Sequence, residues 1–171
     1  MAVQVGSRAP DISVTALVGD HSRQIRLSDS DGKWVVLYFY PKDDTTVCGS
    51  ENEAFRDAHG EFERVGAVVR AASVDTLASH RLWRDGDLGA LPFPWIGDED
   101  KKLVTEFGVV HENSGLALRA TFIIDPDGIV RFLSIHDLPV GRSVAEVLRS
   151  LQALQTGRAT QCNWQPGEPT L

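Results

Sequence analysis

Apolar and polar positions along this 171-residue chain alternate between two periods, one suited to short strands and one to amphipathic helices. Ile12, Val14 and Ala16 alternate with polar neighbours. Gly19-Asp20 supplies a turn before Arg23 to Leu27, so residues 1–33 read as an extension of short strands. Trp34 to Tyr40 is a near-continuous apolar run rich in β-branched and aromatic residues, the pattern of a strand buried on both faces. Phe55, Ala58, Phe62 and Val65 recur at helical spacing, which predicts a helix from Cys48 to about Arg64. Gly66 to Val74 reads as a second buried strand, Thr76 to Asp85 as a helix, Gly86 to Pro94 as a Gly/Pro-broken loop and Lys101 to Phe107 as a short helix. Thr121–Ile124 and Ile129–Leu133 flank Asp125-Pro126-Asp127-Gly128, a strong hairpin signal. Val144, Val147, Leu148, Leu151 and Leu154 mark a last amphipathic helix, which Gly157 ends. An irregular tail runs on to Leu171.

This order of elements predicts an α/β class: a central mixed sheet flanked by helices on both faces. It matches a thioredoxin-like fold with an N-terminal strand extension and a C-terminal tail. The expected division is a compact domain over 1–156 and a tail over 157–171, with no repeat, low-complexity segment or linker between them. A chain of this length with 42% hydrophobic residues can bury a sizeable core. The longest apolar run is far too short to span a membrane. Met1 to Gly6 lack the basic start and apolar stretch of a signal peptide, so a cytoplasmic location is expected. The net charge of −7 argues against nucleic acid and anionic membrane as main partners. The five histidines show no ligand spacing, so no metal is expected.

The chemistry concentrates in Pro41-Lys42-Asp43-Asp44-Thr45-Thr46-Val47-Cys48-Gly49-Ser50-Glu51. Cys48 follows the apolar strand and opens a helix, among unpaired backbone N–H groups at the positive end of the helix dipole. Both favour a thiolate, the reactive form. Position 51 is Glu51, so the Cys-x-x-Cys of a dithiol reductant is absent. The only other cysteine, Cys162, lies in a polar tail with few residues to bury it.

The pattern Pro-x-x-x-Thr-x-x-Cys-x-x-Glu resembles the peroxide-site motif of the peroxiredoxins. The likeness continues in Ser73-Val74-Asp75 with His80 and Trp83, in the segment Gly115 to Asp125, in Asp137 to Ser143 and in the tail Cys162-Asn163-Trp164-Gln165-Pro166-Gly167. The last two resemble the typical two-cysteine (alkyl hydroperoxide reductase C) group. Tyr40 to Thr45 is closer to the bacterioferritin-comigratory group, some of whose members carry a resolving cysteine five positions on, where this chain has Glu53. The typical group has Phe and Pro where this chain has Thr46 and Gly49, and two more residues between its resolving cysteine and Asn-Trp.

The resemblance implies a thiol-dependent peroxidase of hydrogen peroxide and organic hydroperoxides that needs no cofactor. The Cys48 thiolate attacks the terminal oxygen, leaving a sulfenic acid that Cys162 of a second subunit resolves as a disulfide. An external thiol system, thioredoxin-like or a dedicated reductase, closes the cycle. A homodimer follows, and a ring of five dimers is the larger assembly implied. An ordinary cysteine is only about 3% ionised at neutral pH, so full ionisation raises the rate only about 30-fold. Donors to the departing oxygen must supply the rest. Thr45, the Cys48 N–H and Arg119 are the candidates, with Glu51 and Arg142 orienting Arg119 and Pro41 completing the motif. Each also has a plain structural reading: Thr45 as a helix cap, Arg119 as a surface ion pair, Glu51 as a helix-start anion, Arg142 as a residue preceding Ser143, Cys162 as an inert tail thiol. On that last reading the protein is a one-cysteine peroxidase; an oligomeric holdase or redox-signalling role is the alternative of another class. Trp83 and Trp95 read as packing. Gly86-Asp87-Leu88-Gly89 resembles a loop linked to over-oxidation, whose partner is a C-terminal Tyr-Phe pair; both tyrosines here, Tyr38 and Tyr40, sit in the strand. Resistance to over-oxidation is expected. Sulfinic acid appearing on Cys48 within a few turnovers at low peroxide, read by intact mass, would refute it.

Overall fold

The computed structural model describes residues 3–171. Met1 and Ala2, part of the segment read for a signal peptide, lie outside the described residues. The chain opens with β1 (Ser13–Val18) and β2 (His21–Arg26), an antiparallel hairpin turned at Gly19-Asp20. β3 (Trp34–Phe39) follows, then α1 (Thr46–Asp57), α2 (His59–Arg64) and β4 (Ala67–Ser73). α3 (Leu77–Trp83) runs into a wide π-type turn at Arg84–Leu88 that is kinked at Gly86. β5 (Trp95–Gly97), α4 (Lys102–Phe107), β6 (Arg119–Ile124), β7 (Val130–His136) and α5 (Val144–Gln155) complete the order.

Among the described residues seven strands form one sheet in the order β2-β1-β5-β4-β3-β6-β7. β3 and β4 are parallel, as are β4 and β5, and the other pairings are antiparallel. The mixed thioredoxin-like sheet is therefore present, with the β1–β2 hairpin added beyond β5.

β3 reads as a continuous apolar run because both its faces are covered. Val35, Leu37 and Phe39 pack with Leu103, Val104 and Phe107 of α4. Val36, Tyr38 and Tyr40 pack with Phe55, Phe62, Val147 and Leu151 of α1, α2 and α5. Each of these large side chains contributes about 1.5–3 kcal/mol by leaving water. The end of β3 is thereby held rigidly, and the thiol-bearing loop and helix start from it.

Four boundaries differ from expectation. The helix predicted over Cys48–Arg64 starts at Thr46 and is two helices, because the backbone at Ala58 (φ −85°, ψ −2°) leaves the helical register just before Gly60. Phe55 and Phe62 stack across the break with ring centroids 6.1 Å apart. α3 stops at Trp83, short of Asp85, and the first residues of the expected 86–94 loop belong to the π-type turn. Trp95–Gly97 is a strand, too short and too close to Pro94 to show a period. β7 runs on to His136, and that extension brings the next loop to the thiol.

Candidate active site

Thr45 is the N-cap of α1 by its extended backbone, so Cys48 lies in the first turn. The first helical bond runs from Gly49 N–H to the Thr45 carbonyl (2.8 Å). The N–H groups of Thr46, Val47 and Cys48 stand before that bond, at the positive end of the helix. The side chain of Cys48 is 1% exposed, sealed into the core below α1.

Arg119 starts β6. Tyr38 pairs with Thr121, which sets Arg119 level with the end of β3. Its Nη1 donates both to Cys48 Sγ (3.3 Å) and to Glu51 Oε2 (2.8 Å), and its Nε donates to the Leu138 carbonyl (2.6 Å). Its Nη2 makes no hydrogen bond among the described residues. Arg119 is buried, so the reading as a surface ion pair is overturned.

Glu51, one turn along from Cys48, is the hub. Its Oε1 accepts from the backbone N–H and Nε of Arg142 (3.0 and 2.9 Å), and its Oε2 accepts from Nη2 of Arg142 (3.1 Å) as well as from Arg119. The remaining Arg142 donors reach the Ala120 and Phe39 carbonyls and Thr121 Oγ1. All five guanidinium N–H groups of Arg142 are thus spent inside the protein. Arg142 positions other groups and has no donor left for a ligand.

Two guanidinium groups and one carboxylate leave one positive charge unbalanced in a buried cluster. Cys48 Sγ stands at hydrogen-bond distance from Arg119, the place where a negative charge would balance the cluster.

Pro41 is buried where β3 ends, after the last ladder bond from Tyr40 N–H to the Ala72 carbonyl (3.0 Å). Thr45 is corrected on two counts. Its hydroxyl donates to the Lys42 carbonyl (3.1 Å), so its one proton is not turned toward a departing oxygen, and it does not cap α1 through its side chain. The hydroxyl oxygen is left as an acceptor. Cys162 is not brought to the cluster; it is a free, exposed thiol. The tail beside it is held by Trp164, which is buried and whose carbonyl accepts from Arg149 Nη1 (2.9 Å).

Sequence reasoning missed the groups that fix the loop between β3 and α1. Asp43 is buried and accepts from the Tyr40 hydroxyl (2.6 Å) and the Ser79 hydroxyl (2.7 Å), with His80 Nδ1 at 2.7 Å. Its own N–H donates to Asp75 (3.0 Å), while Trp95 Nε1 donates to the Tyr40 hydroxyl (2.6 Å). Burial, then the neighbouring Asp43 charge, push the Asp75 carboxyl above its usual range. Trp95 is therefore a hydrogen-bonding member of the loop's anchor as well as packing. The signal available was Asp43 itself, a charged residue three positions after the apolar run that ends at Tyr40. Among the described residues no group of three or more His, Cys, Asp or Glu is placed to hold a metal. Nor is any helix among the described residues long and apolar enough to cross a membrane.

A thiol in the first turn of a helix, bonded to a buried arginine that a carboxylate holds, is the arrangement the motif implied. Residues 5–133 match the model of the AhpC/TSA family. The chain belongs to the AhpC/TSA family of peroxiredoxins. It is 42% identical to mouse (Mus musculus) peroxiredoxin-2 over 98% of this chain and 89% of that one. It is also 42% identical to the human (Homo sapiens) mitochondrial thioredoxin-dependent peroxide reductase, over 99% of this chain and 70% of that one. The reduced 2-Cys peroxiredoxin of Plasmodium vivax superposes with a TM-score of 0.93 at 32% identity, covering 97% of this chain and 91% of that chain. AhpC of Mycobacterium tuberculosis superposes with a TM-score of 0.87 at 36% identity, covering 96% and 100%. This peroxiredoxin is of the typical two-cysteine kind, a thiol-dependent peroxide reductase.

Proposed function

We propose that Cys48 is the peroxidatic residue and Cys162 the resolving one. The observation that carries the first assignment is Arg119 Nη1 bridging Cys48 Sγ and Glu51, with Nη2 unspent beside it. The thiolate attacks the terminal oxygen of a hydroperoxide; the O–O bond breaks and an S–O bond forms. Negative charge moves from sulfur to the departing oxygen. Arg119 loses interaction with sulfur as Nη1 and Nη2 gain it with that oxygen, so the charge stays compensated across the step. The leaving oxygen takes a proton and departs as water or alcohol, and a sulfenic acid remains. The Thr45 oxygen serves as acceptor for the hydroperoxide O–H.

The sulfenic acid then condenses with a thiol to give a disulfide and water. Cys48 is sealed in the core and Cys162 is exposed, so the first turn of α1 must open for the two sulfurs to meet. A second copy of this chain supplies Cys162. β7 supports such a copy: beyond Val130, which bonds Gly6 and Ser7, it is an open edge of the sheet and carries Ile135, 46% exposed, whereas the other edge, β2, is lined mostly by polar and charged residues. Edge-to-edge pairing of two β7 strands about a two-fold axis covers that edge. A ring of five such dimers is the larger assembly we propose. A reducing cytoplasmic setting, with a thioredoxin-like or dedicated reductase as the thiol partner, suits a disulfide that must be reopened each turnover.

One equivalent of hydrogen peroxide is expected to convert wild type to a disulfide-linked dimer on a non-reducing gel. Cys162→Ser protein is expected to stay monomeric while still losing its Cys48 thiol. Full turnover of Cys162→Ser with a protein reductant would make Cys162 a bystander. A Cys48 thiol that survives peroxide would overturn the peroxidatic assignment.

A further inference from the structure

We infer that Tyr38 and Asn52 form a buried strut that positions the arginine pair around Cys48; the inference rests on the peroxidatic reading of Cys48. Tyr38 lies in β3 and Asn52 follows Glu51 in α1, and both side chains are fully buried. The Tyr38 hydroxyl donates to Asn52 Oδ1 at 2.6 Å. The Arg142 guanidinium carbon stands 5.4 Å from the centre of the Tyr38 ring, within cation–π range. The same ring stacks on Phe55 at 3.9 Å and 10°.

Packing alone does not account for this pair. The surroundings are apolar: Phe55 and Phe93 flank the ring. Asn52 Nδ2 is buried with no hydrogen-bond partner among the described residues. An unpaired buried amide costs about 1–3 kcal/mol, which an apolar residue at 52 would avoid. What the pair gives in return is geometry. Arg142 spends every N–H within its plane, so the ring face is the remaining contact that fixes how far the guanidinium stands from β3. Phe39, next to Tyr38, lends its carbonyl to Arg142, and Glu51, next to Asn52, binds both arginines. The hydroxyl–amide bond therefore ties together the two segments whose separation sets the Glu51–Arg142 contacts, and through Glu51 the place of Arg119 Nη1 at sulfur.

Burial pushes the Tyr38 phenol well above its ordinary range, and the Glu51 and Cys48 charges add to this while Arg142 opposes it. The phenol thus keeps its proton, and with it the bond to Asn52, at neutral pH.

The test is a cycle of Tyr38→Phe, Asn52→Leu and the double variant, read by urea midpoint and by the single-turnover rate of Cys48 oxidation by hydrogen peroxide. Tyr38→Phe leaves the whole Asn52 amide unpaired and is expected to lower the urea midpoint, whereas Asn52→Leu exchanges the unpaired amide for an unpaired phenol hydroxyl and is expected to shift it less. Each is expected to slow oxidation about tenfold, since small misplacement of a donor at this distance weakens it steeply. The double variant removes both polar partners, so its midpoint is expected to recover. Its oxidation rate is expected to stay about tenfold low, because the tie is still missing. A rate that recovers together with the midpoint would reduce the pair to packing, and single variants at the wild-type rate would overturn the inference outright. A wild-type Cys48 that peroxide leaves unoxidised would instead overturn the peroxidatic assignment on which it rests.

Discussion

Cys48→Ser protein is expected to leave hydrogen peroxide unconsumed, with a loss of about 10,000-fold or more in turnover. The substitution is nearly isosteric, and the serine oxygen can still accept from Arg119 Nη1, so the fold is expected to persist. What is lost is the anion. A serine hydroxyl does not ionise near neutral pH, and the buried cluster keeps its single uncompensated positive charge. That charge attracts small anions but cannot itself break an O–O bond. Intact mass after peroxide should show no added oxygen in this variant and a transient sulfenic acid or a disulfide in wild type. Peroxide consumption by Cys48→Ser at even a tenth of the wild-type rate would move the chemistry elsewhere, with Cys162 the only other thiol.

The sequence pattern reveals the scaffold of this site more readily than its wiring. Trp34 to Tyr40 shows as a strand because both faces are buried, and the turn Asp125–Gly128 shows because its Asp, Pro and Gly each have a local reason to be there. Asp125, for example, accepts from the N–H groups of Asp127 and Ile129 (3.0 and 2.9 Å). Trp95–Gly97 does not show, since three residues carry no period and the strand exists only by pairing with β4 and β1. The break at Ala58 is equally silent, because the apolar spacing continues through it from Phe55 to Phe62. For the site, Cys48 and Glu51 are legible as neighbours on one helix turn. Arg119 is 71 residues from Cys48, and only the likeness to a known motif proposed their meeting. Thr45 shows the limit of spacing as evidence. Three residues from the thiol, its hydroxyl is settled by a nearer acceptor, the Lys42 carbonyl, which the sequence does not rank against sulfur. Asp43 and Asn52 escaped notice for the opposite reason. A polar residue in a helix or loop is assumed to face water, and these two are buried.

Replacing Arg119 separates its two duties. Arg119→Met keeps the apolar stem but removes the donors to Sγ, to Glu51 and to the Leu138 carbonyl. Glu51 is then balanced by Arg142 alone, and a thiolate attacking from Cys48 has no cation beside it. The loss of that contact is expected to cost about 30-fold, the gap between an ordinary and a fully ionised thiol at neutral pH. Loss of donors to the departing oxygen adds about 100- to 1,000-fold, the cost of removing one well-placed donor to developing charge. Alkylation by iodoacetamide has no departing oxygen and is expected to slow by no more than the first factor, whereas oxidation by hydrogen peroxide is expected to slow by about 1,000-fold or more. Arg119→Lys restores the charge but a single ammonium cannot hold Leu138, Glu51 and sulfur at once, so alkylation should recover further than oxidation does. If both reactions slow equally in Arg119→Met, Arg119 acts only by stabilising the thiolate. If neither slows more than threefold, the Arg119–Cys48 bond plays no part in the chemistry, and the buried charge balance around Glu51 serves the fold alone.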